Sequence, residues 1–135
     1  MKKILIIISI LLLSGCFENS GYITKTCTKK EIANTLETNT TYTFKFKNDI
    51  IEEISVLREY NDTDKVTINS IKTSVETQNK YLDLNYEVLS NTDNQYKINY
   101  NIDINSSDEI LDKFMIKKKR SELVNNLKDN GFTCE

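Results

Sequence analysis

The sequence predicts an α+β fold: a single antiparallel sheet of about five strands, with a central helix and one or two C-terminal helices. Three observations lead there. Strict apolar/polar alternation recurs in several stretches, the period lengthens to that of a helix in two others, and 135 residues suffice for one ordinary core. Alternation that leaves one face wet marks an antiparallel sheet covered on its other side by helices.

Residues 23–36, rich in Thr and Lys, alternate weakly and fit an edge strand. Tyr42, Phe44 and Phe46 then share a face opposite Thr43, Lys45 and Lys47, as a half-buried strand requires. Asn48-Asp49 supplies turn residues that tolerate left-handed backbone. In the strand expected over 50–60, Ile54, Val56 and Tyr60 point one way. Arg58 falls on that same side, so either the sheet end is wet there or the stem snorkels.

Over 63–81 the period changes. Ile68, Ile71, Val75 and Leu82 gather on one helical face, with Asp62 or Thr63 as the expected N-cap. Alternation returns with Leu82, Leu84, Tyr86 and Val88, then a hairpin loop at Asn91-Thr92-Asp93-Asn94. Its partner strand presents Tyr96, Ile98, Tyr100, Ile102 and Ile104 on one side. Beyond it, Ile110, Leu111, Phe114 and Met115 centre roughly 190° away from Leu123, Val124 and Leu127 on a continuous helix. One core cannot receive both sets, so a break is expected near Lys117 to Ser121. Gly131 suits the left-handed position after the last helix, with Phe132 folding back.

Composition removes most chemistry. The chain has no histidine, which excludes the usual general base and the commonest zinc ligand. Its three glycines, at 15, 21 and 131, cannot build a phosphate-binding glycine loop. The carboxylate pairs Glu52/Glu53, Asp62/Asp64 and Asp108/Glu109 read as solvated strand positions, a cap and a helix start. A net charge of −2 gives no basic surplus for nucleic acid. No catalytic residue, cofactor or metal ligand is expected. Lys117-Lys118-Lys119-Arg120 is the one conspicuous charge block; it reads as closing the first C-terminal helix, with phosphate headgroups or an acidic wall polymer as the functional alternative. Tyr42, Tyr86, Tyr96 and Tyr100 read mostly as core, with an aromatic ligand groove as the alternative.

The first sixteen residues are more informative. Lys2 and Lys3 precede an apolar run from Ile4 to Leu13, broken only by Ser9. As a helix those ten residues reach about 15 Å, half of a ~30 Å hydrocarbon core, so a secretory signal fits better than a spanning helix. Leu13-Ser14-Gly15-Cys16 follows and resembles a bacterial lipobox. That resemblance implies cleavage before Cys16 and a diacylglyceryl group on its sulfur, with palmitate expected among the acyl chains. Two chains anchor stably where one does so only marginally. The expected organisation is a signal peptide over 1–15, a lipidated tether over 16–22, and a single domain over 23–135. Loss of residues 1–15 leaves 120 residues, with 16 basic and 20 acidic side chains. A domain of that acidic balance gains nothing from anionic headgroups, so the lipid and not the surface is expected to keep it there.

With Cys16 assigned to lipid, Cys27 and Cys134 remain, an even pair in a compartment where disulfides persist. A bridge closing a loop of ~100 residues contributes about 4.7 kcal/mol in the chain-entropy description. Two separate buried thiols are the alternative; no Cys-x-x-Cys spacing supports a redox or metal pair. The strands over 42–60, the central helix and the closing Gly131-Phe132-Thr133-Cys134 together resemble the small uncharacterised lipoproteins of the YehR-like type. In that resemblance Cys27 and Cys134 correspond to the paired cysteines. It implies a cell-envelope lipoprotein at the extracytoplasmic face of the membrane, without an assigned reaction. The expected role is a non-catalytic binding module with an envelope protein as partner; a small-molecule or lipid-binding lipoprotein is the second expectation.

Overall fold

The computed structural model describes residues 21–135. Cys16, the signal segment 1–15 and most of the expected tether lie outside the described residues. The elements run β1 (Tyr22–Ala33), β2 (Leu36–Lys47), β3 (Ile50–Asn61), α1 (Lys65–Tyr81), β4 (Tyr86–Asn91), β5 (Gln95–Ile102), α2 (Asp108–Lys113), α3 (Arg120–Asp129) and β6 (Thr133–Cys134). The fold is α+β, with one antiparallel sheet in the order β4-β5-β3-β2-β1-β6. Six strands replace the expected five because the chain's last residues add the short β6 beside β1. β1 therefore has neighbours on both sides over Cys27 and Thr28, and it already begins at Tyr22, the last residue assigned to the tether.

One face of the sheet holds the core. A row across it runs Tyr86, Tyr100, Val56, Tyr42, Cys27 and Cys134. Tyr42, Phe44 and Val56 are fully buried there, as are Tyr96, Ile98, Leu123 and Leu127. The β2–β3 turn has φ of 50° at Asn48 and 64° at Asp49. Left-handed backbone at both central residues is the two-residue turn whose twist matches its flanking strands.

The three helices of the described residues end in the same way, and this governs where the chain goes next. In each, the amide two residues past the cap donates to the carbonyl five positions back: Leu84 to Asn79, Ile116 to Leu111, Phe132 to Leu127. The residue between is left-handed, with φ of 51° at Asp83, 56° at Met115 and 87° at Gly131. This is the Schellman arrangement, with an apolar side chain folding back onto the helix. It corrects the strand expected from Leu82. Leu82 caps α1, Leu84 is the fold-back residue, and β4 starts only at Tyr86. The break between the C-terminal helices falls at 114–119, overlapping the expected Lys117–Ser121 but beginning three residues earlier because Met115 terminates α2.

The N-cap of α1 is Asp64, not Asp62 or Thr63. Its side chain accepts from the Val66 amide at 3.0 Å. That bond and the Thr67 hydroxyl hold the Asp64 carboxyl below its ordinary value. Asp62 is buried and bonds differently, accepting from the Asp64 amide at 2.8 Å and the Thr35 hydroxyl at 3.1 Å. It thereby ties the β1–β2 turn to the start of α1. Asp62→Ala is expected to cost about 2 kcal/mol, as loss of a buried charged acceptor does. Asp64→Ala should cost less, and urea midpoints at neutral pH give the order.

Candidate functional site

The register brings Lys29, Thr40 and Arg58 side by side across β1, β2 and β3 on the core face. The next row holds Glu31, Thr38 and Tyr60. α1 packs over the β5 side of this face, through Ile68, Val75 and Asn79. The α2–α3 segment covers the Cys27 side, where the Tyr42 hydroxyl donates to the Phe114 carbonyl at 2.9 Å. A hollow of about 250 Å³ remains, walled by Lys29, Glu31, Thr38, Thr40, Tyr42, Arg58 and Tyr60, with Met115 and Phe132 completing its lining.

Arg58 is the chemical feature of this hollow. Its guanidinium lies 5.2 Å from the Phe114 ring centre and 5.9 Å from that of Tyr100. Such contacts stabilise a partly desolvated cation. Among the described residues Arg58 forms no ion pair, whereas its neighbour Lys29 is bonded to Glu31 at 2.8 Å. Of the two alternatives raised by the sequence, what is seen is a half-buried arginine at a hollow, its guanidinium against aromatic rings. Met115, held in left-handed backbone, is fixed by the Asn126 side chain, which donates to its carbonyl at 2.9 Å.

Three of the four tyrosines marked in the sequence belong to the core. Tyr42, Tyr96 and Tyr100 are buried, and Tyr42 stacks on Phe44 with ring centres 5.5 Å apart. Burial pushes the Tyr42 and Tyr100 phenols up, with the Arg58 charge opposing it at both. The Tyr100 hydroxyl donates to Asn79 Oδ1 at 2.9 Å. Tyr86 lies on the exposed edge strand. Asn79, buried on α1, carried no signal in the sequence, because an asparagine among helical polar residues looks solvated. Its Nδ2 and the Tyr96 hydroxyl find no partner among the described residues.

The remaining sequence-marked residues separate. Cys27 and Cys134 form a disulfide, directly opposite each other with Cα atoms 4.0 Å apart. Thr26 and Glu135 exchange both backbone hydrogen bonds beside them, at 2.8 and 3.1 Å. The cysteines thus occupy a pair without its own ladder bonds, where side chains approach most closely. Glu52 and Glu53 are solvent-facing, and Asp108 and Glu109 sit in the first turn of α2. The basic run does not close α2. Lys117–Lys119 follow its end, and Arg120 opens α3, where the dipole disfavours a cation. Asp49 compensates, accepting the Arg120 amide and pairing with its side chain, both at 3.2 Å. Among the described residues there is no cluster of three or more metal-ligating side chains, and no helix is long and apolar enough to cross a membrane.

No family model and no curated protein matches the chain. Among solved structures, the NMR structure of a protein from Streptococcus pneumoniae TIGR4 is similar, with a TM-score of 0.50 and 17% identity over 87% of each chain. At that identity the likeness concerns the fold alone.

The buried phenols set an alkaline limit. Burial, with the Glu76 charge adding to it, pushes Tyr96 up to about 12. A phenol raised in the folded state contributes stability that is intact below its unfolded value of about 10 and lost above it. Stability is therefore expected to fall between pH 10 and 12. Absorbance at 295 nm, followed with circular dichroism, should show the last phenolates appearing together with unfolding.

Proposed function

We propose that this chain is a lipid-anchored protein of the cell envelope that acts by binding and not by catalysis. Cys16 carries the diacylglyceryl group, and the domain stands on the extracytoplasmic face of the cell membrane with an envelope protein as its partner. The observation that carries this reading is Leu13-Ser14-Gly15-Cys16 after a basic head and a short apolar run. The Cys27–Cys134 disulfide supports it, since such bonds persist outside the cytosol. The resemblance to YehR-like lipoproteins belongs to the same proposal. Intact mass of the native protein tests it: the expected chain begins at Cys16 and carries acyl mass on that residue. Cys16→Ser should leave the precursor uncleaved or release the protein from membranes. A native product with an unmodified Cys16 thiol would contradict the anchor.

A second reading, binding of a small ligand, draws on the Arg58 hollow instead of a tyrosine groove. A half-buried guanidinium with no ion pair among the described residues, beside the Thr40 and Thr38 side chains and with Glu31 of the same wall engaged by Lys29, suits a small carboxylate or phosphate group, which arginine can hold through two parallel bonds. Titration with acetate and with inorganic phosphate should shift the Arg58 side-chain NMR signal. Arg58→Met should abolish the shifts at neighbouring amides while leaving the folded spectrum intact. Shifts that survive in Arg58→Met, or no site-specific shift at all, would remove this reading.

A further inference from the structure

The charged side chains that line the Arg58 hollow are Lys29, Glu31 and Arg58, which leaves one positive charge in excess. Lys29 is already committed. Its Nζ bonds Glu31 at 2.8 Å and lies 5.7 Å from the Phe132 ring centre. Its stem runs past Gly131, where a Cβ would stand 3.4 Å from Lys29 Cε. Gly131, with φ of 87°, thus leaves room for the lysine as well as ending α3. The excess charge is therefore that of Arg58, which lies against the Phe114 and Tyr100 rings and pairs with no carboxylate among the described residues.

We infer that the hollow takes a monocarboxylate carried on a short apolar body and discriminates against phosphate; the inference rests on the small-ligand reading above. The first support is charge. A carboxylate matches the single excess charge and leaves the Lys29–Glu31 pair unbroken. A phosphate dianion exceeds it and meets Glu31 on the same wall, and an unmatched charge costs more in a partly desolvated site than in water. The planar guanidinium also offers one fork of donors, which fits the two oxygens of a carboxylate.

The second support is the rest of the lining. On β2, Thr40 lies between Lys29 and Arg58, and Thr38 between Glu31 and Tyr60. Short side chains flanked by long ones leave the space open. Tyr60 and Met115 border it and are only half-buried, so apolar surface remains there for a ligand to cover. The volume of about 250 Å³ is just beneath the roughly 300–1,000 Å³ of pockets for drug-sized molecules, and it admits a ring or a branched chain of a few carbons. Acetate would leave most of it empty.

The test titrates the full chain, disulfide intact, with benzoate, acetate and inorganic phosphate at about pH 8, where phosphate is a dianion. Amide NMR shifts at Thr38, Thr40 and Met115 give the affinities. Benzoate is expected to bind about tenfold more tightly than acetate, the factor for burying roughly two methylene groups' worth of apolar surface. Phosphate should bind more weakly than benzoate, and neutral benzamide should give no site-specific shift. Met115→Asn puts a residue that tolerates left-handed backbone at that position. It should bring benzoate down towards acetate while the acetate shifts persist. Glu31→Gln frees Lys29 and should strengthen phosphate several-fold more than benzoate. A short peptide ending in Phe that outcompetes benzoate, and loses this on C-terminal amidation, would support the site with a chain end as the source of the carboxylate; weaker competition would support it with a free acid as the source. Equal affinity for the three anions, or phosphate binding more tightly than benzoate, would overturn this inference and leave the small-ligand reading standing. Absence of shifts with all three would overturn both. These rankings are read on the unsubstituted chain, so they decide the matter even where a variant fails to fold.

Discussion

The covalent link between Cys27 and Cys134 is the constraint on which the rest of the structure leans. β6 is two residues long, too short to hold a sheet edge by hydrogen bonds alone. The disulfide fixes it beside β1 at the end of the core row, with Cys27 fully buried. That placement carries the C-terminal segment with it. Phe132 meets Tyr42 edge-on at 5.3 Å, Leu123 and Leu127 enter the core, and Lys119 arrives beside Ile50. Both the lining of the Arg58 hollow by Met115 and Phe132 and the approach of Lys119 to Ile50 follow from where this segment is pinned.

Helix termination shows what was legible and what was not. Gly131 announced its left-handed turn, because glycine adopts that backbone without steric cost. Asp83 and Met115 adopt it too, in a chain with few glycines, and gave no such signal. For Asp83 the cost is modest, since short polar side chains tolerate the region. For Met115 it is larger, and burial of Ile116 with the Asn126 bond offsets it. The period of two across Leu82 and Leu84 therefore misread a helix end as a strand. Where alternation was long and uninterrupted, from Tyr96 to Ile102, the sequence pattern and the buried face agree residue by residue.

Charge was legible in sum and not in place. The balance over the whole chain is acidic, and from the sequence no attraction to anionic lipid was expected. Folding brings two basic stretches together, the hairpin carrying Lys45 and Lys47 and the linker carrying Lys117–Lys119, and pairs most of their cations with carboxylates. Arg58 was visible as an anomaly, a cation on an apolar strand face, and it marks the hollow for that reason. Thr40 and Thr38 beside it were not distinguishable from the many other threonines of β1 and β2.

The clamp can be tested directly by amide hydrogen exchange on the oxidised and the gently reduced protein. Reduction should strip protection from Thr26, Glu135, Leu127 and Phe132, while Tyr42, Val56 and Tyr100 in the central strands keep theirs. Unchanged exchange in α3 and β6 after reduction would contradict the clamp, as would an equal loss of protection across the whole sheet.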